Sequence, residues 1–238
     1  MQLEVCVDSP GGITAAIKGG ADRVEVCSGL ALGGLTPTTA LMVAAAMEEF
    51  PFVTMIRPRA GDFVWTAAEV DHMQAEIDEA LEMGAEGLVL GASRPDGTLD
   101  AKALRTLIKD MPDDIDLVLH RCIDLTPDPL AALETAIALG FDRVLTSGGA
   151  LRAVDGIGRL RAMFDRAAGR IEIMPGSGIT PDNVGQLAAL LPLTAVHASC
   201  AASLPQDPRA VAMGFAQAER KETDPALVKA MRAALDTL

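Results

Sequence analysis

A five-residue pattern occurs twice in this chain. Gly20-Ala21-Asp22-Arg23-Val24 returns as Gly140-Phe141-Asp142-Arg143-Val144, and a looser copy, Gly84-Ala85-Glu86-Gly87-Leu88, lies between them. Each copy leads into a short β-rich run. Eight such runs are legible: Leu3–Val7, Arg23–Cys27, Val53–Arg57, Gly87–Gly91, Leu117–Arg121, Arg143–Ser147, Ile171–Met174 and Ala195–Ser199. The two close copies open runs two and six, four units apart, which is the half-turn offset of a chain built from eight similar βα units. Several runs are almost continuously apolar, such as Val53-Thr54-Met55-Ile56, as strands buried on both faces by helices are.

The stretches between the runs have helical spacing. Val70, Met73, Ile77 and Leu81 recur every three or four residues, with Glu69, Asp71, Glu76 and Asp78 on the other side. Thr66 and Glu69 form a capping-box pattern at its start. Gly84 stops this helix, and Gly140 stops the one carrying Leu130, Leu133 and Ile137. The expected fold is therefore α/β: a single (β/α)8 TIM-type barrel over residues 1–200. A C-terminal extension, 201–238, packs on it, with a short helix near 210–219 and a terminal helix near 225–235. An open doubly wound sheet is the alternative. The length of 238 residues suits one such barrel, for which about 250 is typical.

Charge and composition narrow the function. The net charge is −13, which repels nucleic-acid backbones and anionic membranes. Six Phe, one Trp and no Tyr leave few platforms for stacking bases. The longest uncharged run, Ser28 to Met47, contains Gly33-Gly34 and Pro37 and makes a poor membrane span. The start, Met-Gln-Leu-Glu, lacks the basic and apolar regions of a secretory leader. Four cysteines, none in a Cys-x-x-Cys pair, are too few for a disulfide scaffold. A cytoplasmic protein with reduced thiols is expected, without nucleic-acid or membrane partners.

In such a barrel the functional face lies at the C-terminal ends of the strands. Outward positions press on apolar helices, so a charged residue within a strand is expected to face the lumen. This places Glu4 with Cys6 and Glu25 with Cys27 side by side, and Arg57 next to Glu25. His120, Thr146 and His197 complete the ring. Arg121 ends the fifth run, and Asp124 and Arg59 lie just beyond strand ends. His72 falls on a helix surface.

These residues suggest two classes of function. The first is metal binding: Cys6 and Cys27 share a parity on neighbouring strands, and two thiolates suit Cu(I). The second is an acid–base enzyme, a lyase, isomerase or hydrolase, acting on a small anionic or phosphorylated metabolite. Arg57 and Arg59 would hold the anion, and Glu25 or His120 would move protons, with Asp124 orienting His120 or Arg121. Gly176-Ser177-Gly178, with Ser147-Gly148-Gly149, would supply backbone donors for phosphate, and Thr146 belongs to the same site. No nucleotide cofactor is expected, because no Rossmann or P-loop motif is present.

The same residues resemble a known family. Leu3-Glu4-Val5-Cys6, Gly20 through Ser28, Gly33-Gly34-Leu35-Thr36-Pro37, Ile56 through Phe63, His120-Arg121 with Asp124, and Arg143 through Gly148 are similar to the motifs of the CutC copper-homeostasis family. The likeness runs from about residue 3 to about residue 200. It implies a cytoplasmic TIM-type barrel, commonly a homo-oligomer, with Cu(I) proposed at cysteines matching Cys6 and Cys27. The chain departs from the family pattern at Cys122-Ile123, where Ala-Phe is common, at Ser199 in the last strand, and in the residues beyond Cys200.

Overall fold

The computed structural model describes residues 1–238. Eight parallel strands form one sheet: β1 (Gln2–Val7), β2 (Arg23–Val26), β3 (Phe52–Met55), β4 (Gly87–Leu90), β5 (Asp116–Leu119), β6 (Arg143–Thr146), β7 (Glu172–Pro175) and β8 (Ala195–Ala198). Their order follows the chain from β7 down to β1, and β1 then pairs with β8. The ladder is open only between β7 and β8, so the barrel is nearly closed. Seven helices follow the first seven strands: α1 (Pro10–Gly19), α2 (Thr39–Ala46), α3 (Ala67–Glu82), α4 (Ala101–Ile108), α5 (Pro129–Leu139), α6 (Ile157–Ala167) and α7 (Val184–Ala188).

Local chemistry sets these boundaries. Thr66 and Glu69 close the expected capping box on α3. Ser9-Pro10 and Asp128-Pro129 start α1 and α5: the side-chain oxygen accepts a free N–H of the first turn, and proline fills a position whose N–H needs no partner. Gly140 ends α5 in the left-handed conformation, at φ 86°.

Alternating strand positions divide two apolar layers. Outward residues such as Leu3, Val24, Leu88 and Leu119 join a 48-residue core shared with the helices. Inward residues Cys27, Val53, Met55, Val89, Val118, Leu145, Met174 and Ala195 fill the lumen.

The repeated pattern is explained at the floor of the barrel. Arg23 and Arg143 open β2 and β6 and turn inward onto Glu4. Arg23 Nε donates to Glu4 Oε2 at 2.7 Å, and Arg143 Nη1 lies 3.8 Å from the same oxygen. Arg23 also pairs with Asp116, and Arg143 Nε lies 2.6 Å from Glu172. The preceding aspartates pin the neighbouring strand. Leu3 N–H donates to Asp22 Oδ2 at 2.6 Å, and Leu117 N–H to Asp142 Oδ2 at 2.8 Å.

Beyond β8 the chain differs from expectation. The helix expected near 210–219 is only α8 (Pro208–Ala212), flanked by β9 (Ala201–Pro205) and β10 (Glu219–Thr223), which form an antiparallel hairpin. Gly214, at φ 76°, ends the helix early. The hairpin is exposed and polar on β10, so no apolar alternation announces it. The terminal helix, α9 (Pro225–Leu235), falls where expected. It packs between α7 and α1, the place of an eighth barrel helix. A Cβ on Gly19 would come within 2.3 Å of Val228, so only glycine lets α1 and α9 approach this closely.

Candidate functional site

Strand register assembles the mouth. Cys6 pairs with Glu25 across β1 and β2, and Glu4 pairs with His197 across β1 and β8. His197 Nδ1 lies 2.8 Å from Glu4 Oε1, while Nε2 lies 3.6 Å from Glu25 Oε2. One donor atom each from Cys6, Glu25 and His197 lie within 4.8 Å of one another, and all three residues are buried.

Charge is shared unevenly within this group. Burial works against ionising Glu4, but the His197 hydrogen bond and the charges of Arg23, His197 and Arg143 outweigh it and hold the carboxyl at about 2. At Glu25 the charges of His197 and Arg23 and the Cys27 hydrogen bond do not outweigh burial. Burial, reinforced by Glu4 and only partly opposed by His197, raises it to about 7. Burial also disfavours a charged His197, yet Cys6, Glu4 and Glu25 together keep its imidazole protonated well above the ordinary range.

Of the two cysteines expected to hold a metal, only Cys6 belongs to this three-donor group. Cys27 packs its sulfur beneath Gly34 and beside Met55. Burial, then Glu25 and Cys6, push its thiol well up. Cys122 and Cys200 are buried apolar residues of the outer core. Glu4 is fully buried and sits behind His197 rather than in the open mouth.

A second wall is built by β3 and β5. Arg57 was expected beside Glu25, but its head turns to the loops instead. Nη1 donates to Leu32 O and Gly34 O, each at 2.9 Å, and Nη2 to Gly61 O at 2.8 Å. Its guanidinium lies 4.9 Å over the Phe63 ring, which in turn lies 4.6 Å from the His120 ring. His120 Nδ1 accepts the Cys122 N–H at 3.2 Å. Burial, with the nearby Arg57 charge, lowers His120 to about 3, so this imidazole is neutral. His72, by contrast, is exposed beside Glu76 on α3.

Several expected ligands serve the loops. Arg59 turns outward to Glu69 at 2.5 Å, Asp62 at 3.0 Å and the face of Trp65 at 4.7 Å, so it does not support an anion at Arg57. Asp124 orients Arg121, at 2.8 Å, and does not touch His120. It also accepts from Thr146 Oγ1 at 2.6 Å and from the N–H groups of Ser147 and Gly149. Gly148 N–H donates to Thr146 Oγ1 at 2.9 Å. These donors are spent within the loop. Thr146 faces away from the lumen because Leu145 holds the inward position.

The loop after β7 has its own steric reason for glycine. A Cβ on Gly176 would meet Leu145 at 2.6 Å and His197 at 3.2 Å. Ser177 donates to Leu151 O at 2.7 Å. Ser177 and Gly178 do line the mouth, but α7 has only five residues and makes a weak anion site.

The two walls enclose a cavity of about 830 Å³ lined by Cys6, Glu25, Arg57, His120 and His197. The hairpin roofs it with Gln206, Phe215, Gln217 and Lys221. Sequence reasoning missed this roof, the aromatic plate of Phe63, and the inward role of Arg23 and Arg143. The repeated Gly-x-Asp-Arg-Val pattern was the available signal for the two arginines. The inward Gly91 protects His120, since a Cβ there would lie 2.4 Å from His120 Cε1 and 2.5 Å from Cys122 Sγ. Gly91→Ala is therefore expected to destabilise the fold by about 1–3 kcal/mol and to move His120 toward an ordinary titration. Histidine NMR titration of the variant checks this; an unchanged His120 signal would refute it.

The family model described as the CutC family matches residues 1–202. A CutC family protein of Sinorhizobium medicae is 53% identical over 237 residues, covering 99% of this chain and 96% of its own length. One from Xanthomonas campestris is 44% identical over 200 residues, 84% of this chain and 83% of its own. The crystal structure of CutC from Streptococcus agalactiae superposes with a TM-score of 0.78 at 30% identity, covering 84% of this chain and 98% of that one. No helix of the chain is long and apolar enough to cross a membrane.

Proposed function

The chain belongs to the CutC family, and on that premise we propose that it binds a copper ion at Cys6, Glu25 and His197. The observation that carries this reading is the convergence of one thiol, one carboxylate and one imidazole within 4.8 Å at the strand ends. The donor set fits the ion. Thiolate and imidazole are copper ligands, the Glu25 carboxylate would complete the set, and Glu25 and His197 would each release a proton as the ion binds. Glu4 supports the same reading from behind: a carboxylate on Nδ1 turns Nε2 to the ligand position and raises its basicity. The copper-homeostasis designation of the Streptococcus agalactiae protein agrees with it. The reading revises the ligand set expected from sequence, replacing Cys27 by Glu25 and His197.

The test is an anaerobic titration of Cu(I) against a chromophoric chelator under reducing conditions. One ion per chain is expected. Cys6→Ser and His197→Gln should each weaken binding by at least about tenfold, and Cys27→Ser should leave it within error of the parent chain. Equal affinity in Cys6→Ser would overturn the assignment.

A second reading, acid–base catalysis on a small molecule, is favoured by one observation. A cavity of about 830 Å³ far exceeds what an ion fills, and Glu25, at about 7, is poised to hold or release a proton near neutrality.

A further inference from the structure

The wall formed by Arg57, Phe63 and His120 has unspent donors. Arg57 carries five N–H groups, and three of them donate to Leu32 O, Gly34 O and Gly61 O. The two that remain sit on Nε and Nη2, adjacent nitrogens of one guanidinium. Nε is buried without a partner. The charge of Arg57 is met by carbonyl oxygens and by no carboxylate, although the residue is 5% exposed. His120 is in the same position. Its Nδ1 accepts from Cys122, so the ring proton is on Nε2, and Nε2 is buried without an acceptor. Phe63 packs against both groups, with the Arg57 guanidinium 4.9 Å over its ring and the His120 ring 4.6 Å from it. All three residues line the cavity, with Leu30, Met55 and Leu145 as its apolar surface.

A buried donor without an acceptor costs free energy that a ligand with the right acceptor recovers. We propose that this wall binds the carboxylate of a small organic acid with an apolar body, Arg57 taking it through Nε–H and Nη2–H and His120 donating from Nε2. A planar carboxylate matches the two-pronged edge of a guanidinium. Phosphate fits less well, because the loop donors it would need, the N–H groups of Ser147, Gly148 and Gly149, are bound to Asp124 and Thr146. The apolar body lies against Leu30, Met55 and Leu145. This site is separate from the copper reading: a failed copper titration with carboxylate binding intact removes only the copper site.

Benzoate is the probe, with benzamide as its neutral isostere and inorganic phosphate as the competing anion. The chain has three histidines, so the ring nitrogens of His120 are readily assigned by NMR in the full-length protein. Benzoate should shift the His120 Nε2 signal saturably, and benzamide and phosphate should bind at least about tenfold more weakly. Arg57→Lys keeps the charge but loses the fork, and should weaken benzoate by at least about tenfold. If that variant does not fold, the unmodified chain decides through the His120 signal. No saturable shift with benzoate, an equal response to benzamide or phosphate, or full affinity in folded Arg57→Lys would each overturn the proposal.

Discussion

Glu4→Gln is expected to destabilise the fold by about 3–5 kcal/mol, the cost of removing one partner from a buried ion group. Glu4 is fully buried and serves Arg23, Arg143 and His197 together. Glutamine keeps its shape and one acceptor oxygen but leaves these cationic groups facing a neutral amide in a buried site. Arg23 then keeps only Asp116, and Arg143 only Glu172, both partners nearer the rim. Asp116→Asn is the control. Its side chain is 24% exposed, so water compensates part of the loss and about 1 kcal/mol is expected. Urea unfolding measures both, with an unchanged m-value showing that the same surface is exposed. A Glu4→Gln effect no larger than that of Asp116→Asn would mean that the floor network carries no net stability.

From pH 6.5 to 4.5 the stability of the chain is expected to stay nearly level, because two buried groups act in opposite directions. His120, lowered to about 3, refuses a proton that the unfolded chain accepts below its ordinary 6.5, so it destabilises as pH falls. Glu25, raised to about 7 from 4.5, holds a proton that the unfolded chain has released, so it stabilises as pH falls across the same range. His197 is protonated in the folded chain throughout and in the unfolded chain below its ordinary 6.5, so it adds only a small stabilisation at the top of this range. Below pH 4.5 the balance ends. Glu25 is then protonated in both states, while Glu4, held at about 2, begins to lose its contribution alongside His120. The two buried groups then drive unfolding at about 2.7 kcal/mol per pH unit. The partly exposed Glu69, also held at about 2, acts in the same direction. His120→Asn removes one arm. That variant should gain about 3 kcal/mol of stability between pH 6.5 and 4.5, where the parent chain stays level. Denaturant curves at three pH values read this directly, and parallel behaviour of the two proteins would contradict it.

Much of this molecule is legible along the chain. The repeated Gly-x-Asp-Arg-Val pattern and the eight β-rich runs mark the barrel, since strand length, helix caps and stop glycines depend on a few consecutive residues. Strand parity carries the reading one step further. A charge within a strand covered by helices must turn inward, and Cys6, Glu25 and His197 meet at the mouth for that reason. The β9–β10 hairpin was not legible, because exposed polar strands carry no apolar alternation. Nor were the partners of the long side chains. Arg57 reaches carbonyls of Leu32 and Gly34 rather than the carboxylate next door, and Asp124 gathers donors from the loop after β6 rather than His120. That Glu25 and His197 join Cys6 in one three-donor group was likewise decided in three dimensions, by the register of β2 and β8 on β1. The barrel, the direction of each strand and the side of the sheet on which each charge lies follow from the residues alone, because burial and backbone periodicity act over short stretches. Which charge meets which partner is settled in three dimensions, because an arginine or aspartate at a strand end can reach several loops and takes the acceptors or donors that the nearly closed barrel brings within hydrogen-bonding distance.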